Sequence, residues 1–241
     1  MFNDKYGLTE AVLQGRKTMT RRFVGNRMTD DDIKAYLKGY TELANKCAPY
    51  KAGEIRNLSN FDPRQDWMEW GIDDKGKANI GIFHNETYKH SIYPQHQPGE
   101  VVAVAQSYKD LGYTKQWVEQ HISPNPNAKP TDPFEKKYPG WNNKMFVRAD
   151  LMPHQIRITD IKVERMQDIS DEDCLKEGIK IVDRFEQYVY YSFDGWRFRD
   201  GKKRCSESPR DAFAVLIDKV NGKGTWEHNP WVFAYSFELC K

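Results

Sequence analysis

The feature that most constrains this chain is its punctuation. Short alternating runs are cut by turn residues and interrupted by helices at irregular intervals, without the strand–helix–strand rhythm of a parallel sheet. "HQIRITDIKVERM" sets the pattern: Ile156, Ile158, Ile161 and Val163 point one way, with a bulge predicted at Asp160. "WVFAYSFEL" is a last alternating strand, "KANIGIF" another, and the Pro-Gly turn of "QPGEVVAVAQSY" launches a buried strand over residues 101–105. In "EQYVYYSFDGWRFR" the Asp194-Gly195 pair predicts a hairpin. Strands outnumber helices, which predicts an α+β fold around a small curved sheet or barrel.

Helices are signalled by their ends. Residues 9–14 form a short one, with Thr9 as cap, Leu8 as staple and Gly15 as stop. "TDDDIKAYLKGYTELANKC" predicts an amphipathic helix over residues 29–47, capped by Thr29. "ISDEDCLKEGI" starts at Ser170 and stops before Gly178. "SPRDAFAVLIDKVNG" is the strongest signal, with Ser208 as cap, Pro209 in the first turn and Asn221-Gly222 closing it. Residues 109–144 contain the Pro/Asn-rich run "SPNPNAKPTDPFEKKYPG" and read as a loop or lid.

At 241 residues and 39% hydrophobic content, the chain can bury a core without cross-links. Its four cysteines are scattered, with no CxxC pair, which fits reduced thiols in a cytoplasm. The N-terminal residues lack a signal-peptide run and no stretch reaches bilayer length, so no membrane partner is expected. The formal net charge is only +2, but it is unevenly spread. Residues 1–27 and 197–204 are basic, and residues 168–177 are acidic. Basic patches on a nearly neutral chain suit local anion binding better than wrapping a long duplex.

The densest basic stretch is "LQGRKTMTRR", residues 13–22. One reading is a helix-ending turn with solvated cations. The other is the wall of a nucleotide pocket, where the guanidinium forks of Arg21 and Arg22 match phosphate oxygens. The aromatics of "YVYYSFDGWRF" could stack bases or pack on the core. Trp226, Trp231 and Phe233 read as core. His84, His90 and His96 recur every six residues, a spacing that shares no helix or strand face, and no HExxH or CxxC accompanies them. No metal and no cofactor is expected.

Four segments in this order resemble the ASCH (activating-signal-cointegrator homology) family of the PUA-like β-barrel superfamily. They are "AVLQGRKTMTRR", "PGEVVAVAQSY", "IRITDIKVERMQDISDEDCLKEGI" and "DAFAVLIDKVNGKGTWEHNPWVFAYSFE". The last is similar to the longer variant common in bacteriophages and prophages. The resemblance implies a single PUA-like domain over residues 1–241, a small β-barrel with flanking helices and insertions at about 23–97 and 109–144. It implies a cleft beside the first helix that takes RNA or a nucleotide.

Some compact members are amidohydrolases that deacetylate N4-acetylcytidine, and their motif falls on Lys17, Thr20 and Glu177. Arg16, Thr18, Arg21, Arg22 and Gln106 are the implied nucleotide contacts. Two departures stand out: the chain is far longer than the compact enzymes, and it reads "VAQSY" where phage relatives often carry a charged pair. The chemistry is coherent. A lysine with a lowered pKa could deprotonate a threonine, and Glu177 could protonate the leaving amine or accept from a base edge. In an extended segment, however, Lys17 and Thr20 face opposite sides, so their pairing needs a turn or bulge between them. Glu177 also reads as an exposed helix-end carboxylate.

The expectations are therefore an RNA- or modified-nucleoside-binding protein, an N4-acetylcytidine-type amidohydrolase, or a non-catalytic module binding a host protein.

Overall fold

The computed structural model describes residues 2–24, 55–57, 66–73, 75–84, 87–196 and 204–240. The helix expected over residues 29–47 and most of the 197–204 basic patch lie outside them.

The chain is a mixed α/β protein built on a curled antiparallel half-barrel. Four strands form it: β1 (Met19–Phe23), β6 (Val101–Ala103), β7 (Gln155–Arg165) and β10 (Trp231–Cys240). Their spatial order is β1-β10-β7-β6. The predicted bulge is present. Ser236 pairs with Asp160 and Phe237 with Ile158, leaving Thr159 as the extra residue. β6 differs from expectation: it ends at Ala103 and is an edge strand paired with β7, with Val101 half exposed. The backbone contact nevertheless continues one step, from the Val104 N–H to the His154 carbonyl.

The two faces of this sheet bury different cores. Toward the barrel, Ile156, Ile158, Ile161 and Val163 of β7 pack with Trp231, Phe233, Tyr235 and Phe237 of β10. Val12 belongs to the same core. It comes from α1 (Leu8–Leu13), whose cap is Gly7 in a left-handed conformation and not Thr9. Thr9 is buried, and its hydroxyl reaches the Phe2 carbonyl. On the opposite face, Val232 packs with residues of two helices, α4 (Asp171–Lys176) and α5 (Pro209–Asn221). Ser170 and Ser208 cap those helices as read from sequence, each accepting from the third residue on. With both faces covered, β10 is buried at successive positions from Trp231 through Tyr235.

A second sheet has the antiparallel order β2-β3-β4-β5, formed by Ile55–Asn57, Asp66–Ile72, Ala78–His84 and Thr87–Ile92. Ala78 and Ile80 of β4 join the barrel core. The Pro/Asn-rich segment of residues 109–144 is not an open loop. It contains α2 (Lys115–His121), α3 (Phe134–Lys137) and short 3-10 turns around a core of Tyr108, Val118, Tyr138 and Met152. Each large side chain fully buried this way contributes about 1.5–3 kcal/mol, enough to order a Pro-rich segment.

The hairpin also differs. Its strands are β8 (Lys180–Phe185) and β9 (Tyr188–Ser192), so the chain reverses at Glu186-Gln187, with Glu186 at φ 52°. Asp194-Gly195 forms a later turn that carries Phe193 and Trp196 into the helical core, stacked at 5.2 Å. α6 (Thr225–His228) leads into β10. No helix among the described residues is long and apolar enough to cross a membrane.

Candidate functional site

The basic stretch folds inward because its backbone is anchored on two sides. Gly15, at φ 70°, reverses the chain after α1. The N–H groups of Arg16 and Lys17 then both donate to the Ala11 carbonyl, at 2.8 and 2.9 Å. One residue later, the Thr18 N–H donates to the Lys176 carbonyl at the end of α4, and the Thr18 carbonyl accepts from Phe237 in β10. Lys17 is thereby placed directly against Glu177, the residue that closes α4.

Lys17 and Glu177 are 2% and 4% exposed. The Lys17 ammonium donates to Glu177 Oε2 at 2.5 Å and to the Glu177 backbone carbonyl at 2.7 Å. The other carboxylate oxygen, Oε1, accepts from Arg21 Nη1 at 3.0 Å. Arg21 also grips Glu164, from Nε at 2.8 Å and from Nη2. Its Nη2 lies 3.5 Å from Asp173 Oδ2. Lys162 lies 3.0 Å from Glu164 and 2.6 Å from Asp173, and Lys176 reaches the other Asp173 oxygen at 3.4 Å. Among the described residues, four cations, Lys17, Arg21, Lys162 and Lys176, thus join the three carboxylates Glu164, Asp173 and Glu177 in one network between the sheet and α4.

Burial dominates the electrostatics. It pulls the Lys17 pKa below the ordinary lysine value despite the Glu177 charge, with Arg22 and Arg21 acting in the same direction as burial. Burial also opposes the Arg21 charge, but Glu177 and Glu164 outweigh it and raise the Arg21 pKa. Desolvation works against Asp173 as well. Lys162, Arg21 and Lys176 overcome it and hold that carboxyl below its usual range. Cys174, beneath the network, is pushed up to about 12 by burial and is a packing thiol, not a nucleophile.

The register shows which sequence candidates share this place. Arg21 pairs with Ala234 and thence with Lys162, on the helix-covered face. Thr20 pairs with Tyr235 and Ile161, and Arg22 with Phe233 and Val163, on the barrel face. β1 pairs continuously from Met19 to Phe23, so no bulge turns Thr20 toward Lys17. Among the described residues the Thr20 hydroxyl has no hydrogen-bond partner. Arg21 is committed to carboxylates, which removes it as a phosphate clamp. Arg16 is exposed, its Nε donating to Gln14 at 2.8 Å, and is available to an anion. Thr18 and Gln106 are half-buried at the same end of the half-barrel, where β1 begins and the chain leaves β6.

No protein-family model matches the chain, and comparison with curated proteins and with solved structures gave no match. The site therefore rests on its own geometry.

Sequence reasoning missed Lys162, Glu164 and Asp173. Lys162 and Glu164 occupy the polar positions of an alternating strand and read as solvent-facing. A signal was present in β10, whose small apolar residues Val232 and Ala234 fill the positions that a solvated face would make polar. Among the described residues, no group of three or more His, Cys, Asp or Glu side chains could hold a metal ion.

Proposed function

We propose that this chain is an ASCH-type, PUA-like protein that binds RNA or a modified nucleoside at the end of the half-barrel flanked by α1. The supporting observation is the convergence of Lys17 and Arg21, from the basic stretch, on Glu177, a carboxylate 160 and 156 positions away in sequence. That convergence ties the start of β1, where Thr18 lies, to the end of α4. Arg16, exposed beside it, supplies the cation for a phosphate.

Titration with single-stranded RNA and with cytidine nucleotides tests this reading. Arg16→Ala should weaken RNA binding and make its salt dependence shallower, by about 0.7 in log–log slope per lost phosphate contact. Absence of binding by the wild-type chain would overturn it.

A hydrolytic reading is favoured by one observation, the lowered pKa of Lys17, which suits a general base. In that reading Lys17 and Glu177 act on an N4-acylated cytosine. Thr20 would have to be carried across the strand to serve as nucleophile, so binding takes precedence. Incubation with N4-acetylcytidine decides the point: release of cytidine, lost in Glu177→Gln, is the outcome this second reading requires.

A further inference from the structure

Lys17 has a donor to spare. An ammonium carries three N–H groups. Two are used on Glu177, at its carboxylate and at its backbone carbonyl, and among the described residues the third has no hydrogen-bond acceptor. What lies over this buried ammonium instead is the Phe2 ring, its centroid 5.8 Å from Nζ. A ring face attracts a cation, but an oxygen accepting a charge-assisted hydrogen bond is the stronger partner. Phe2 is itself half-buried, packing beside both cores and against Phe237 at 5.7 Å, and so belongs to the surface layer.

The segment that carries Phe2 is lightly attached. Its carbonyls accept from close along the chain: Phe2 from the Thr9 hydroxyl at 3.4 Å, Asn3 from the Leu8 N–H at 3.1 Å and Asp4 from the Gly7 N–H at 2.9 Å. Among the described residues, no main-chain hydrogen bond joins residues 2–5 to the sheet. The firm anchor comes next. Tyr6 is buried with its ring edge-on to Phe193 at 5.9 Å, and Gly7, at φ 64°, turns the chain into α1. On the far side of that pivot the clasp is Lys144, which donates to Asp4 and, at 2.7 Å, to Thr9. The Asp4 carboxylate is largely exposed.

We infer that residues 2–5 are a strap that closes the Lys17–Glu177 pair, pivots at Tyr6-Gly7, and is displaced when a ligand oxygen takes the place of the Phe2 ring at Lys17. This rests on the binding reading above and supplies its regulation. Opening the strap uncovers a cation that Glu177 already holds in position, so the incoming oxygen gains a charge-assisted hydrogen bond without reordering the lysine. Closing it returns the ring and shuts water out of the pair. The Asp4–Lys144 contact sets the balance between the two forms. A ligand that needs the open form binds more weakly in proportion to the fraction of chains that are open.

The test is a brief acetylation of the full chain with acetic anhydride, read lysine by lysine by peptide mass spectrometry, in the wild type, Asp4→Asn and Phe2→Ala. Asp4→Asn loosens the clasp and leaves Phe2 in place, so it guards against a folding defect in Phe2→Ala. Relative to the exposed Lys223, Lys17 should react about two- to fivefold faster in Asp4→Asn, the range that loss of an exposed ion pair allows. In Phe2→Ala the gain should be at least about tenfold, with local opening separated from global unfolding by an unchanged urea-unfolding rate. Calorimetric titration with CMP should show tighter binding by Asp4→Asn, by the same factor as its labelling. Lys17 labelling that stays at the wild-type rate in both variants, or rises only with the unfolding rate, overturns the strap. Faster labelling with unchanged CMP affinity overturns ligand entry past Phe2. If neither CMP nor RNA binds, the binding reading and the ligand's route fall together, and the labelling alone decides the strap.

Discussion

Lys17 meets Glu177 twice, through the carboxylate at 2.5 Å and through the backbone carbonyl of the same residue at 2.7 Å. One ammonium thus closes both the side chain and the C-terminal end of α4. Removing it leaves a buried carboxylate with Arg21 as its remaining charged partner, so Lys17→Met should cost about 3–5 kcal/mol in urea unfolding. The pH profile adds a second readout. Because burial lowers the Lys17 pKa, the unfolded chain binds more protons than the folded one in the window just below about 10.4. Stability contributed by this group rises with pH there, and that rise should disappear in Lys17→Met.

Asp173 predicts the acid side. Its carboxyl is held below the usual range by Lys162, Arg21 and Lys176 against the opposing effect of burial. The stability it contributes is complete above about pH 4 to 5 and is lost as pH falls toward the lower folded value. Asp173→Asn should therefore flatten the acid limb of a stability–pH curve measured by denaturant midpoints between about pH 2 and 6. An unchanged slope would place the acid sensitivity on other carboxylates.

Gly178 follows Glu177 at φ 109°, and a Cβ there would lie 3.1 Å from Leu8 Cδ2 and 3.7 Å from Lys17 Cδ. Gly178→Ala thus combines backbone strain with pressure on the residue that pairs Glu177. A loss of about 1–3 kcal/mol is expected from the strain, with any nucleotide binding weakened in parallel. Thermal unfolding and titration on the same sample check both effects.

Lys144 is the stitch between the segment of residues 139–151 and α1, through Thr9 and Asp4. Lys144→Met should leave global stability within about 1 kcal/mol, because the pair with Asp4 is largely exposed on one side. Hydrogen exchange should instead quicken locally, over residues 139–151 and α1. Uniform acceleration across the chain would show that the stitch supports the whole fold.

Local chemistry wrote much of this structure directly. The caps at Ser170 and Ser208, the stop at Gly15, the alternation of β7 and its bulge beside Asp160 each depend on a few neighbouring residues, and they stand where the sequence placed them. Signals that depend on what lies across a face did not carry over. Thr9 looks like a cap but is buried. Asp194-Gly195 looks like the hairpin turn but carries Phe193 and Trp196 into a core, and the reversal moves to Glu186-Gln187. The Pro/Asn-rich run of residues 109–144 looks like a loop until Tyr108, Val118, Tyr138 and Met152 give it an interior.

The candidate site divides in the same way. Alone, the sequence determined that Lys17 and Arg21 share a side of an extended segment and that Thr20 does not, because strand periodicity is a property of the backbone. Tertiary structure decided what that side faces. Covering the outer face of the sheet with α4 and α5 brought Glu164 of β7 and Asp173 of α4 to Arg21, with Lys162 joining the same two carboxylates, since a charge removed from water must find its opposite. No local pattern records which distant carboxylate that will be.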